Sequence, residues 1–197
     1  MNLWLESLPD YVEVDGIRYK INTDFRVWVH FENLLFWSNE SMDMRVAALI
    51  CLGYVDEMPD NIYTALNALI EFYNSNGSTK IEDKTHNEAP EQTAPNARIY
   101  SFNHDASLIY AAFKSQYNIN LDTAMMHWWQ FQSLFFGLND DNKICRIMEI
   151  RAMDLSSIKD KDQKAHYRRM KRVYRLPDIR TDDEKEAAMI DAFAGMF

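Results

Sequence analysis

Hydrophobic positions recur along this chain at two periods, and the change from one to the other lays out the elements. Val12-Glu13-Val14-Asp15-Gly16-Ile17-Arg18-Tyr19-Lys20-Ile21 alternates apolar and polar around an Asp-Gly pair. That is a strand–turn–strand pattern, with Asp15 and Gly16 supplying the positive-φ positions of a type I′ turn, so one β-hairpin is predicted near the N-terminus. A lone hairpin is marginal in water and must lie on the helices of the chain. Beyond Ile21 the period becomes helical. Asp24 to Trp37 spaces Val27, Trp28, Phe31, Leu34 and Leu35 for one helix face, with Asn22 or Thr23 as its cap. Ser41 caps a second helix with Met44, Ala47, Ala48, Cys51 and Leu52 inward and Gly53 as its stop. Asp60 caps a third, striped by Ile62, Leu66, Leu69, Ile70 and Tyr73.

Between Ser75 and Arg98 the periodicity stops. Ser, Thr, Asn, Glu, Lys and Pro dominate, and Pro90 and Pro95 interrupt any helix. Such a segment buries too little apolar surface to offset its ordering entropy, so it reads as a polar mobile linker between two lobes or an excursion from one fold. Residues 1–74 form the N-terminal lobe, 75–98 the linker, 99–178 a C-terminal helical lobe, and 179–197 an acidic and then apolar helix or tail.

In the second lobe Ser101 or Asn103 caps a helix bearing Leu108, Ile109, Ala112 and Phe113, with Asn118 suited to a left-handed C-cap. The densest apolar run follows, from Ala124 to Gly137. On one helix, Met125, Trp128, Trp129, Phe131, Phe135 and Phe136 share an arc of about 160°, with Asp122 or Thr123 as cap and His127, Gln130 and Ser133 opposite. Gln132 falls inside the apolar arc, where its amide must find partners. Asp140 to Met153, with Ile144, Ile147, Met148 and Ile150, forms a further helix.

Asp160 to Leu176 differs in kind. Tyr167, Met170, Val173 and Tyr174 make a narrow apolar stripe, and Lys161, Lys164, Arg168, Arg169, Lys171, Arg172 and Arg175 a contiguous basic one. The chain carries a net charge of −9, yet Lys159 to Arg175 sums to +6, leaving −15 elsewhere. Three readings stand open for the stripe: nucleic-acid binding, docking of an acidic segment, and a solvated face paired with Asp182, Asp183, Glu184 and Glu186.

Composition adds exclusions. Gly and Pro are scarce at 5 each while aromatics reach 13%, which favours packed helices: mainly α, with one small N-terminal hairpin. Cys51 and Cys145 lie in apolar patterns and are expected as buried free thiols. Early carboxylates interrupt any signal sequence and no apolar run is long enough for a membrane span, so cytoplasmic folding is expected. His104-Asp105 reads as a capping or surface pair, since no second ligand stands at metal-binding spacing. Neither a phosphate-binding loop nor a nucleophile elbow is present, and the expectation is a protein with no catalytic residues, metal or cofactor.

Three ordered blocks carry a resemblance. They are Tyr100-Ser101-Phe102 with Asp105 and Ile109-Tyr110-Ala111-Ala112-Phe113; His127-Trp128-Trp129 with Phe131, Leu134-Phe135 and Gly137-Leu138; and Arg151, Asp154-Leu155, Ile158-Lys159-Asp160-Lys161 and Tyr167-Arg168-Arg169-Met170-Lys171-Arg172 with Tyr174 and Leu176-Pro177. Together with Leu8-Pro9 and the hairpin, over about residues 1 to 178 with the 75–98 linker left out, they resemble the gene-product-fifteen family of tailed phages and prophages of Gram-positive bacteria. Members are usually encoded between the major tail protein and the tape measure. The resemblance implies a virion-morphogenesis role in the host bacterial cytoplasm, as a tail assembly chaperone binding the tape-measure protein or another assembly factor. A structural virion component and a nucleic-acid-associated protein are the alternatives, and self-association is left open. The residues offered for partner binding are Trp128, Trp129 and Phe135 on the heavy face and Lys164, Arg168, Lys171, Arg172 and Arg175 on the basic one.

Overall fold

A computed structural model describes residues 7–74 and 98–177. The predicted linker therefore lies outside the described residues apart from Arg98, as does everything after Pro177.

Asp15 and Gly16 take φ of 53° and 77°, the geometry a type I′ turn requires. It folds β1 (Tyr11–Val14) back antiparallel on β2 (Ile17–Lys20), with Tyr11 opposite Lys20 and Val14 opposite Ile17. Val12 and Val14 are buried, and the Val55 N–H donates to the Lys20 carbonyl at 3.1 Å. The hairpin is thus seated on the helices, as its own marginal stability demands.

Among the described residues seven helices follow: α1 (Phe25–Trp37), α2 (Met42–Gly53), α3 (Ile62–Asn74), α4 (Ala106–Tyr117), α5 (Trp128–Phe136), α6 (Lys143–Ala152) and α7 (Lys161–Val173). The fold is mainly α with one small hairpin, as expected. Ser41 caps α2 and Asn118 closes α4 at φ 55°, both as predicted. Other ends differ. Asp24, not Asn22 or Thr23, caps α1, because its carboxylate reaches the Arg26 N–H at 2.9 Å while also holding the Arg26 guanidinium. Asn22 is engaged elsewhere, its carbonyl accepting from the Trp28 indole at 2.7 Å and its amide donating to the Leu52 carbonyl at 3.1 Å. Asn61, not Asp60, accepts from Tyr63 N–H at 2.9 Å at the front of α3.

The inward face of α2 also departs from the pattern. Leu49, Ile50 and Gly53 are buried, whereas Met44, Ala47 and Cys51 are exposed. Gly53 is the reason. A Cβ there would lie 2.5 Å from Leu69 Cδ1, so the close approach of α2 to α3 passes through a residue without a side chain and turns that face inward. Gly53 is the last residue of α2, as predicted, and a packing position as well. Cys51 is consequently exposed and Cys145 half-buried, against the expected burial of both.

One apolar cluster runs from Val12 through Trp28, Phe31, Leu69 and Phe72 to Phe113, Trp128, Phe131 and Ile144. The flanks read as two lobes share this cluster. Stacked rings at its centre, Phe25 on Phe131 at 4.7 Å and Phe131 on Phe113 at 5.2 Å, join α1, α5 and α4.

Candidate partner-binding surfaces

Trp128, Trp129 and Phe135 are predicted to meet a partner, and the structure corrects this: all three are buried. The heavy helix is shorter than its apolar run. Residues before it pair with the start of α1 instead, the Phe25 N–H donating to the Met126 carbonyl at 3.0 Å and the Trp128 N–H to the Thr23 carbonyl at 2.8 Å. Neither Asp122 nor Thr123 is the cap. His127 is, and its Nδ1 accepts from the Trp129 N–H at 3.1 Å while its own N–H donates to Gln130 Oε1 at 3.2 Å. With Nδ1 an acceptor, Nε2 carries the proton and donates to the Pro9 carbonyl at 3.0 Å. Burial holds this imidazole below its usual pKa, against the pull of Pro9 and Asp10, which suits the neutral tautomer the cap needs. Starting the helix at Trp128 leaves Met125 outside it, 92% exposed, and Phe136 half-exposed at the far end.

The two indoles have a specific task. Trp128 Nε1 donates to the Tyr73 carbonyl at 3.0 Å and Trp129 Nε1 to the Phe72 carbonyl at 2.9 Å. Gln132 Nε2 adds a bond to Tyr73 at 3.2 Å, the anchoring bond its place in the apolar arc required. Carbonyls in a helix's last turn lack intrahelical donors, so α5 completes the end of α3 with its side chains. The sequence signalled buried aromatics but not this clamp, since the partners are more than 50 positions apart.

Two charged nodes went unpredicted. Glu32, wholly buried on α1, accepts from the Tyr73 hydroxyl and pairs with Arg98 at 3.3 Å. The Arg98 guanidinium also lies 3.2 Å over the Phe36 ring. Burial pushes the Glu32 carboxyl up to about 6, against the opposing pull of Tyr73 and Arg98, and burial likewise raises Tyr73 and Tyr100. Asp105 is the second node. It stands at the N-cap of α4, yet its carboxylate turns away to a two-pronged pair with Arg151 (2.6 and 3.0 Å) and accepts from the Ser101 N–H at 3.0 Å. Arg151 also donates to the carbonyls of Ile99 and Tyr174. The surface role expected of Asp105 is replaced by a buried one, because three further groups converge on it and its partner. His104 does stay exposed, its ring edge-on to Trp37 at 5.3 Å.

On the basic helix the residues divide. Asp160 caps α7, and no α7 residue is buried. Lys164 and Lys171 lean toward the body: Lys171 Nζ donates to the Met153 carbonyl at 2.6 Å, and the Asp154 carboxyl, held down chiefly by its bonds to Ser156, is lowered a little further by both lysines. Arg168, Arg169 and Arg172 face outward with Arg175. Val173, assigned to the apolar stripe, is 66% exposed.

Further apolar side chains are uncovered at the two ends of α2. Met42 and Met44 open α2, while Val55, Met58, Ile62 and Tyr63 follow one another through the α2–α3 corner, each exposed by more than two-fifths. Among the described residues no three His, Cys, Asp or Glu side chains come together as a metal site, and no helix is long and apolar enough to cross a membrane.

A family model described as bacteriophage Gp15 protein matches residues 5–176. The chain belongs to the bacteriophage Gp15 family. No curated protein and no solved structure matches it. For this Gp15 family member, the blocks that carried the resemblance turn out to hold the fold: His127-Trp128-Trp129 clamps α3, and Asp105 with Arg151 ties α4 to the end of α7.

Proposed function

We propose that the protein is a non-enzymatic tail-morphogenesis factor, a chaperone that holds the tape-measure protein in the host cytoplasm until the tail tube assembles along it. Family membership supports the phage setting. The observation that carries the chaperone reading is the exposure of Met42 and Met44 at the start of α2, and of Met58, Ile62 and Tyr63 at the corner after it, on a fold whose core is already filled by rings. Unbranched, polarizable methionines adapt to many apolar partners, and a long amphipathic client helix offers a repeating stripe for such a surface. The client surface is thereby moved from α5 to α2 and the corner after it.

Co-expression with the tape-measure protein of the same phage, then a pull-down at about 0.3 M salt where surface ion pairs are largely screened, tests the reading. The pair is expected to survive, with the tape measure soluble only in company, and Met42→Gln with Met44→Gln and Met58→Gln is expected to lose it. Loss of the parent pair at that salt contradicts the reading. The outward arginines of α7 favour a second one: DNA retarded at low salt, released steeply as salt rises, and unbound after Lys164, Arg168, Lys171 and Arg172 become Glu. Recovery in purified particles would instead mark a structural virion component.

A further inference from the structure

α7 combines fixed position with unbalanced charge. Arg151 donates to the Tyr174 carbonyl at 2.6 Å and Lys171 to that of Met153, also at 2.6 Å, so the helix is pinned at its C-terminal half. Its burial cannot sustain it alone, since none of its residues is buried and an isolated helix of 13 residues is marginal in water. Arg168 and Arg172 stand one turn apart with Arg169 beside them, all exposed, and like charges at that spacing repel. Among the described residues no ion pair joins any of these three to a carboxylate.

The sequence supplies a counter-charge close by. Asp182, Asp183, Glu184 and Glu186 begin five positions after Pro177; they lie outside the described residues. Five residues span up to about 17 Å, and α7 is about 20 Å long at roughly 1.5 Å per residue, so the run can reach the arginines in the helix's second half. A tether this short gives an effective concentration on the order of millimolar, far above that of a free competitor.

We propose that the acidic run Asp182-Asp183-Glu184-Lys185-Glu186 pairs with Arg168, Arg169 and Arg172 of the same chain and masks the basic face of α7 until a stronger anionic partner displaces it. This inference stands apart from the chaperone reading, because it concerns a different face and a different kind of contact.

Heparin serves as the polyanion probe. The full chain is compared with a full-length variant carrying Asp182→Asn, Asp183→Asn, Glu184→Gln and Glu186→Gln. A control makes the same charge change at the exposed residues Glu40, Asp56, Glu57 and Asp60. The run variant is expected to elute at clearly higher salt than the control, and adding Arg168→Glu, Arg169→Glu and Arg172→Glu is expected to abolish the gain. The arginine Nε–H resonances of these three residues should also shift in the run variant and not in the control. Equal elution of run variant and control, or unshifted arginine resonances, overturns the proposal. So does tight retention of the parent equal to both variants, which would mean the face is open to polyanions throughout.

Discussion

Glu32 and Asp105 show how one carboxylate can serve different ends at different depths of partnership. Glu32 has one guanidinium at 3.3 Å and one phenol, and burial outweighs both, holding its carboxyl near 6 against an ordinary 4.5. A carboxyl raised on folding contributes stability in full below its unfolded pKa and loses that contribution as pH rises through the folded value. The parent is therefore expected to lose about 2 kcal/mol more than Glu32→Gln between roughly pH 4.5 and 7. Urea unfolding of both across that range reads it. A parent whose stability instead rises with pH relative to the variant would show the Arg98 pair outweighing burial. Asp105 has more partners. Arg151→Met would leave that carboxylate buried without its two-pronged partner, at a cost of about 3–5 kcal/mol. Adding Asp105→Asn is expected to restore part of the loss in denaturant midpoint.

At the scale of elements, α5 works through its edges as much as through its bulk. Trp129→Phe keeps most of the ring packed on Phe72 but removes the N–H that satisfies the Phe72 carbonyl, at an expected cost of about 1–3 kcal/mol. Amide exchange should then rise in the last turn of α3 ahead of the rest of the fold; uniform loss of protection would assign the indole a packing role alone. The same helix shows what was legible in the sequence. Its apolar density marked it as central, and the hairpin turn, the Ser41 cap and the Asn118 stop were each set by local chemistry that a few neighbouring residues declare. Caps and faces that depend on distant groups were not. His127 became a cap because Pro9 and the start of α1 hold the chain ahead of it, and α2 turned Leu49 and Ile50 inward because Gly53 meets Leu69. Periodicity counts apolar residues on a helix; it does not say which neighbour approaches closest.

For the whole molecule, the same distinction separates scaffold from surface. The Asp105–Arg151 pair and the indole clamp span 46 to 57 positions, so their residues could be noticed in the sequence but not paired. Once paired, they bury Trp128, Trp129 and Phe135, and the exposed methionines of α2 and the α2–α3 corner are among the apolar side chains left open on the described residues. Hydrogen–deuterium exchange of the protein with and without the co-expressed tape-measure protein tests that assignment directly. New protection is expected over residues 42–63, with Trp128–Phe136 unchanged. Protection confined to α5 or α7, with residues 42–63 exchanging as before, would contradict it.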